Sequence, residues 1–287
     1  MSLFFFVSDL HGSITRYKKL FDLIEDEKPT AVFLGGDLLP SGLFALTAGS
    51  NTTGNFIVDI LFAGFLKLKK RLGSEYPRVF LILGNDDGKG EENLIIKGEA
   101  LGYWEYIHGK KVKLANYDIY GYSYVPPSPF MLKDWELYDV SRYTDPGCVA
   151  PEDGAHFGKV DRKKLLYRTI QKDLNLLIEE KNLDNTILLL HTPPYKTNLD
   201  RAALDGKMFD SVPLDVHVGS IAVKRLIEER GPKITLHGHI HESARITGHW
   251  KENIGKTLAI SAAHDGSELA LVRFDPDNPQ NSTRELI

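Results

Sequence analysis

The chain has one cysteine, Cys148, so no internal disulfide can brace it. That scarcity fits a reducing compartment, where thiols stay free. Neither charge is in excess: 35 basic and 39 acidic residues leave a net charge of -4. Without a basic surplus or a Lys/Arg stripe, duplex DNA and anionic membranes are poor partners. Long apolar runs are also missing, and none approaches the roughly 20 residues of a membrane span. The apolar start at residues 3–7 is too short for a signal core, lacks a basic leader and soon meets Asp9. There is no internal repeat and no low-complexity tract. Together these absences predict a soluble cytoplasmic protein without membrane or nucleic-acid partners.

The 287 residues are 42% hydrophobic, enough to bury a large core. The most informative stretch is Lys-Ile-Thr-Leu-His-Gly-His-Ile-His, from Lys233 to His241. A short apolar run meets three histidines at alternate positions, which places them on one side of an extended chain. Gly238 predicts a bend where backbone approaches something closely. Histidine is the commonest metal-binding side chain, so Gly-His-Ile-His at a strand end reads as part of a metal site.

Taken in order, residues 3–7 predict a strand buried on both faces, as in parallel sheets. Ser13 is the N-cap of a helix on Tyr17, Leu20, Phe21 and Ile24. Residues 31–34 form the next strand, completing a βαβ unit. Residues 40–54 look like a loop, 55–72 a helix, 79–83 a third strand and 91–101 a short helix. Residues 104–124 alternate as antiparallel strands do and predict a second sheet. Residues 125–160 are rich in proline and aromatics and read either as a lid over the site or as a surface excursion. A long helix is expected over 160–182, a fourth strand over 186–190, and a helix capped by Ser220 over 221–230. The tail over 244–274 alternates like antiparallel strands, and 275–280 reads as the start of a loose terminus.

Five of these apolar strands end in metal-capable residues: Asp9 and His11, Asp37, Asn85, His191, and His239 with His241. In open α/β sheets the carboxyl ends of strands gather where ligands bind. An Asp after a strand is ordinary turn chemistry, but five such endings at equivalent places point to a shared site. The set holds imidazole, carboxylate and one amide but no thiolate, which suits Mn, Fe, Zn or a mixed pair. Seven ligands exceed one tetrahedral ion and suit two divalent ions sharing a carboxylate. Such a pair clamps the attacking and leaving oxygens of an in-line displacement at phosphorus.

Asp9-Leu10-His11, Gly35-Gly36-Asp37, Gly84-Asn85-Asp86-Asp87, His191 and Gly238-His239-Ile240-His241 resemble the five ordered motifs of the calcineurin-like metallophosphoesterase superfamily. The resemblance implies an α/β fold: a two-sheet sandwich flanked by helices, in four αββα layers, formed by residues 1–287 as a single domain. It also implies that Asp9, His11 and His241 hold one ion, Asn85, His191 and His239 the other, and that Asp37 bridges them. His237 matches no ligand of the family and is expected to support the site or pack at the strand end. His217 and His264 lie near motif-bearing loops, and Tyr124 or Tyr195 are candidates for contact with substrate.

The third motif departs from the family, where a histidine usually stands by the leaving group; here that position is Asp86. An imidazole can protonate a departing alkoxide, whereas an ordinary Asp, with a pKa of about 3.9, is ionised. Asp86 is then a tuned acid, or another group replaces it, or the leaving group needs no acid. The expected activity is a dinuclear metal-dependent phosphoester hydrolase in which a metal-bridging hydroxide attacks phosphorus in line. Asn85 would stabilise charge on the equatorial oxygens, and phosphodiesters or activated phosphomonoesters would be preferred as small-molecule substrates. The alternatives are a nuclease, which the charge disfavours, and a catalytically inactive scaffold of the same fold that binds a protein partner.

Overall fold

The computed structural model describes residues 2–42 and 55–287. Two six-stranded mixed sheets face each other with helices outside. The first sheet has the order β14-β13-β1-β2-β3-β4: Thr283–Leu286, Ala270–Phe274, Phe4–Val7, Ala31–Gly35, Arg78–Ile82 and Glu105–Tyr106. The second has the order β11-β12-β10-β7-β6-β5: Lys251–Ile254, Thr257–Ser261, Ile234–His237, Thr186–Leu190, Tyr117–Tyr122 and Lys111–Leu114. β1, β2 and β3 are parallel neighbours, as are β6, β7, β10 and β12, so their carboxyl ends share an edge in each sheet.

The two-residue side-chain period of a strand assigns the faces. Phe4, Phe6, Phe33, Phe80 and Ile82 meet Ile119, Ile187, Leu189, Leu236 and Ile260 between the sheets. The intervening Phe5, Val7, Val32 and Leu34 join Tyr17, Leu20 and Ile24 of α1 (Ile14–Glu27) and Phe65 and Leu68 of α2 (Ala63–Leu72). On the second sheet Leu188 and Leu190 join Leu174, Val223 and Ile227. Strands buried on both faces need no polar alternation, which is why they read as unbroken apolar runs. Ser13 caps α1 by accepting from the Arg16 N–H, and Ser220 accepts from the Val223 N–H at the start of its helix, Ile221–Arg230. The short helix expected over 91–101 is α3 (Glu92–Ala100).

Several expectations are corrected. The long helix over 160–182 is two short ones, α4 (Arg162–Leu165) and α5 (Ile170–Leu177). The backbone leaves the helix after Leu165, and Thr169, in extended conformation, opens α5 by capping it with its hydroxyl, although the apolar spacing continues. Within 104–124, β4 extends the first sheet in parallel, and only β5 and β6 form the expected antiparallel pair. The tail opens with a short helix, Ser243–Thr247; β11 and β12 then form the expected antiparallel pair, but the strands divide between the sheets, with β12 also parallel to β10 and β13 antiparallel to β1. Residues 275–280 do not begin a loose end, because β14 follows and pairs with β13. Residues 208–213 contain a small hairpin, β8 (Met208–Phe209) with β9 (Val212–Pro213). The helix over 55–72 is present, its first part, Ile57–Phe62, wound as a π-helix. Most of the loop expected over 40–54 lies outside the described residues. No described helix is long and apolar enough to cross a membrane.

The segment 125–160 packs onto the body. Leu132, Trp135, Leu137 and Tyr138 are buried, and Asp134 accepts the backbone N–H groups of Lys89 and Phe157 at 2.8 and 2.9 Å. Phe157 in turn lies against Gly88 and Gly90, so this segment grips the loop after β3.

Candidate metal centre

The loops after β1, β2, β3, β7 and β10 are laced together by hydrogen bonds. The Asp9 and His11 N–H groups reach the carbonyls of Gly36 and Asp37 at 2.9 and 2.8 Å, and the Gly238 N–H reaches the His191 carbonyl at 2.9 Å. Two carboxylates act as hubs. Asp37 Oδ1 accepts the Asp86 N–H at 2.8 Å, and Asp9 Oδ1 accepts the His239 N–H at 2.9 Å, crossing from the second sheet to the first. Asp87, the last residue of the third motif, is a third hub and is fully buried. Its carboxylate accepts the N–H groups of Leu38, Leu39 and Gly84 at 2.9, 2.8 and 2.8 Å, tying the second and third motif loops.

The structure brings all seven expected residues together in two overlapping groups. One ligand atom each from Asp9, His11, Asp37 and His241 lies within 4.8 Å of the others, and the same holds for Asp37, His191 and His239. Asn85 joins the second group, with Oδ1 3.1 Å from His191 Nε2. Asp37 belongs to both. Within the first group His241 Nε2 is 3.3 Å from Asp9 Oδ1 and 3.1 Å from His11 Nε2. In the second, His191 Nε2 is 3.3 Å from Asp37 Oδ2. Imidazole nitrogens, carboxylates and an amide oxygen converging without thiolate form a donor set that fits divalent cations.

Four of the converging residues hold left-handed backbone. Asp9, His11, Asp37 and His239 have φ of 55°, 44°, 51° and 75°, in the left-handed region. Non-glycine residues there cost on the order of 1–3 kcal/mol each and cluster at functional sites. Gly84 is required for a different reason: a Cβ there would strike the Asp37 carboxylate and backbone and the His191 ring.

Burial alone would raise the Asp9 carboxyl, but the hydrogen bond from His241 and the charges of His241, His191 and His11 hold it well below the usual range. Burial alone would lower His11 and His191. The Asp86 hydrogen bond and the Asp37 and Asp9 charges outweigh it at His11, and Asp37 outweighs it at His191, so each reaches about 9. Burial, reinforced by the charge of His191, pushes His239 down to about 3, so its ring is neutral. Burial, then the charge of Asp37, pushes Asp87 up to about 7. His191 Nδ1 is 2.8 Å from the Gly35 carbonyl, which can only accept. In the neutral ring this leaves the lone pair on Nε2, facing Asp37 and Asn85.

Asp86 faces His11 and Ser41: Oδ2 is 3.3 Å from His11 Nδ1, and Oδ1 accepts from Ser41 Oγ at 2.7 Å. Arg16 was also missed; its guanidinium donates to the carbonyls of Asp9 and Gly266 and steadies the first motif loop. Only its distance along α1 from the motif separates it from a readable signal. His237 commits both ring nitrogens to the Thr192 carbonyl and Thr235 Oγ1, at 2.9 and 2.8 Å. His217 pairs with Asp200 at 2.7 Å and His264 with Glu268 at 3.0 Å. Tyr124 accepts from Lys89 at 3.3 Å, and Tyr195 donates to Asp215 at 2.6 Å.

With this geometry in hand, comparison with known families is decisive. The model of the calcineurin-like phosphoesterase family matches residues 3–243. The chain belongs to that family. This calcineurin-like phosphoesterase resembles a protein of Thermus thermophilus, TT1561, in fold, with a TM-score of 0.56 at 14% identity, covering 99% of this chain and 98% of that one. An uncharacterised protein of Methanocaldococcus jannaschii, MJ1162, is 37% identical over 83 residues. That match spans 28% of this calcineurin-like phosphoesterase and 32% of the archaeal protein, about a third of its length.

Proposed function

We propose that this chain is a dinuclear metal-dependent hydrolase of small phosphodiesters or activated phosphomonoesters. The observation that supports it is the sharing of Asp37 between two groups of ligand atoms. Asp9, His11 and His241 would hold one divalent ion, Asn85, His191 and His239 a second, and Asp37 would serve both. When bound, such ions supply Lewis-acid charge to phosphoryl oxygens and lower the pKa of water enough for attack at neutral pH. The chain's own part is to fix the donors. The left-handed loops aim them, His191 once deprotonated presents its Nε2 lone pair inward, and the neutral His239 needs no deprotonation. Asn85 brings an uncharged amide to the cluster, where it can meet charge growing on the phosphoryl oxygens.

The Asp86 carboxylate is engaged by His11 and Ser41 and stands where a proton donor is expected. That engagement supports substrates whose leaving oxygen departs without a proton. The balanced charge and the absence of a basic stripe support a small ester over nucleic acid. The test is turnover of bis-nitrophenyl phosphate, nitrophenyl phosphate and an alkyl phosphate with Mn²⁺, Fe²⁺ or Zn²⁺. The proposal expects the aryl diester to be cleaved fastest and the alkyl monoester slowest. Metal-loaded protein that turns over none of them contradicts it.

A further inference from the structure

Asp86 stands where the third motif of this family usually has a histidine, and its surroundings differ from those of a proton donor. One carboxylate oxygen faces His11 Nδ1 at 3.3 Å and the other accepts from Ser41 Oγ at 2.7 Å. The same residue's backbone N–H goes to Asp37. The opposite nitrogen of His11, Nε2, is 3.1 Å from His241 Nε2, within the first group of ligand atoms. The two ring nitrogens thus have separate directions, one into the cluster and one out to Asp86.

A neutral imidazole has one N–H and one lone pair. With an Asp86 oxygen as acceptor 3.3 Å from Nδ1, the N–H sits on Nδ1 and the lone pair on Nε2. We infer that Asp86 is a positioning residue for His11, fixing the ring so that Nε2 is presented to a metal ion of the Asp9–His11–His241 group. The inference rests on the metal-binding reading above. A carboxylate behind a ligand histidine restricts its orientation and raises its basicity. Ser41 braces the carboxylate from the far side, and the Asp86 backbone is pinned to Asp37, so the bracket is anchored at both ends. The exchange of imidazole for carboxylate at this position therefore changes its task from serving the leaving group to orienting a ligand.

The test titrates Zn²⁺ alone into the full-length metal-free chain by calorimetry and follows the His11 ring by nitrogen-15 NMR, for wild type, Asp86→Ala and Asp86→Asn. The Ala variant is expected to weaken one of the two ions by about 10–100-fold and leave the other unchanged. Zn²⁺-loaded wild type should show the Nδ1–H tautomer at His11, and the Ala variant should lose that preference. Asn, whose amide oxygen can still accept from Nδ1–H, should recover part of the loss. Wild type that binds two ions, with an Ala variant unchanged in both isotherm and tautomer, overturns this inference alone. So does an Ala variant that weakens both ions equally. Wild type that binds no Zn²⁺ overturns this inference together with the metal-binding reading.

Discussion

His191 Nε2 lies 3.3 Å from Asp37 Oδ2, and this contact joins the carboxyl ends of the two sheets. Asp37 follows β2 of the first sheet and His191 follows β7 of the second. Neither sheet alone holds the seven residues. Facing the two so that their parallel strands end at one place is what converts separate loops into one site.

Metal uptake should depend on pH. In the metal-free protein, burial alone would depress His11 and His191, but Asp86 at the first and Asp37 at the second outweigh it and raise each to about 9. Both rings then carry protons at neutral pH that a cation must displace. Affinity should rise from pH 7 and level off above about 9, with protons released on binding at pH 7. For the metal-free fold the sign is opposite. Raised histidine pKa values contribute stability that is fully present below the ordinary 6.5 and is lost as pH rises through about 9. Calorimetry in two buffers of different ionisation heat measures the released protons, and a pH-independent affinity without release contradicts the expectation.

Gly84→Ala should damage the site more than the fold. Its Cβ would meet the Asp37 carboxylate, the Asp37 backbone N and the His191 ring. Backbone cannot rotate away, so the loop must shift, at a cost of about 1–3 kcal/mol for an overpacked position. Thermal denaturation should show that loss, and bound metal should fall in parallel. Full metal content in a normally stable variant would contradict the packing account.

Much of the candidate site's convergence was legible because apolar strands ended in Asp, Asn or His, a pattern carried by neighbouring residues. Strand positions were legible for a related reason: residues 187–190 are apolar without interruption because both faces are covered. The break between Leu165 and Thr169 was not, since apolar spacing runs through it and only the hydroxyl's capping bond marks where the second helix starts. Nor were the partners of the tail strands, because alternation reports half-burial and says nothing of which sheet receives the strand. The pairing of Asp86 with His11 joins distant parts of the chain, and no local pattern encodes it. The same holds for Lys133 and Glu136, ordinary surface types that the structure buries completely.

Lys133→Met should destabilise the segment over the third motif loop. Lys133 and Glu136 pair with 0% side-chain exposure, and Lys133 also donates to the Ser128 carbonyl at 2.8 Å. Removing the ammonium leaves the carboxylate buried without a countercharge, which costs about 3–5 kcal/mol. Urea denaturation should show a loss of that size, and replacing both residues by apolar ones should restore much of it. A single variant as stable as wild type would mean the pair contributes nothing.

Asp37→Ala tests the shared carboxylate most directly. The measurement is elemental analysis of wild type and variant after Mn²⁺ loading and desalting, with turnover of bis-nitrophenyl phosphate assayed on the same samples. A centre built around Asp37 predicts two ions per wild-type chain, loss of both or all but one in the variant, and no turnover there. A wild-type chain that retains fewer than two ions, or a variant that keeps both and still turns over the diester, would contradict it.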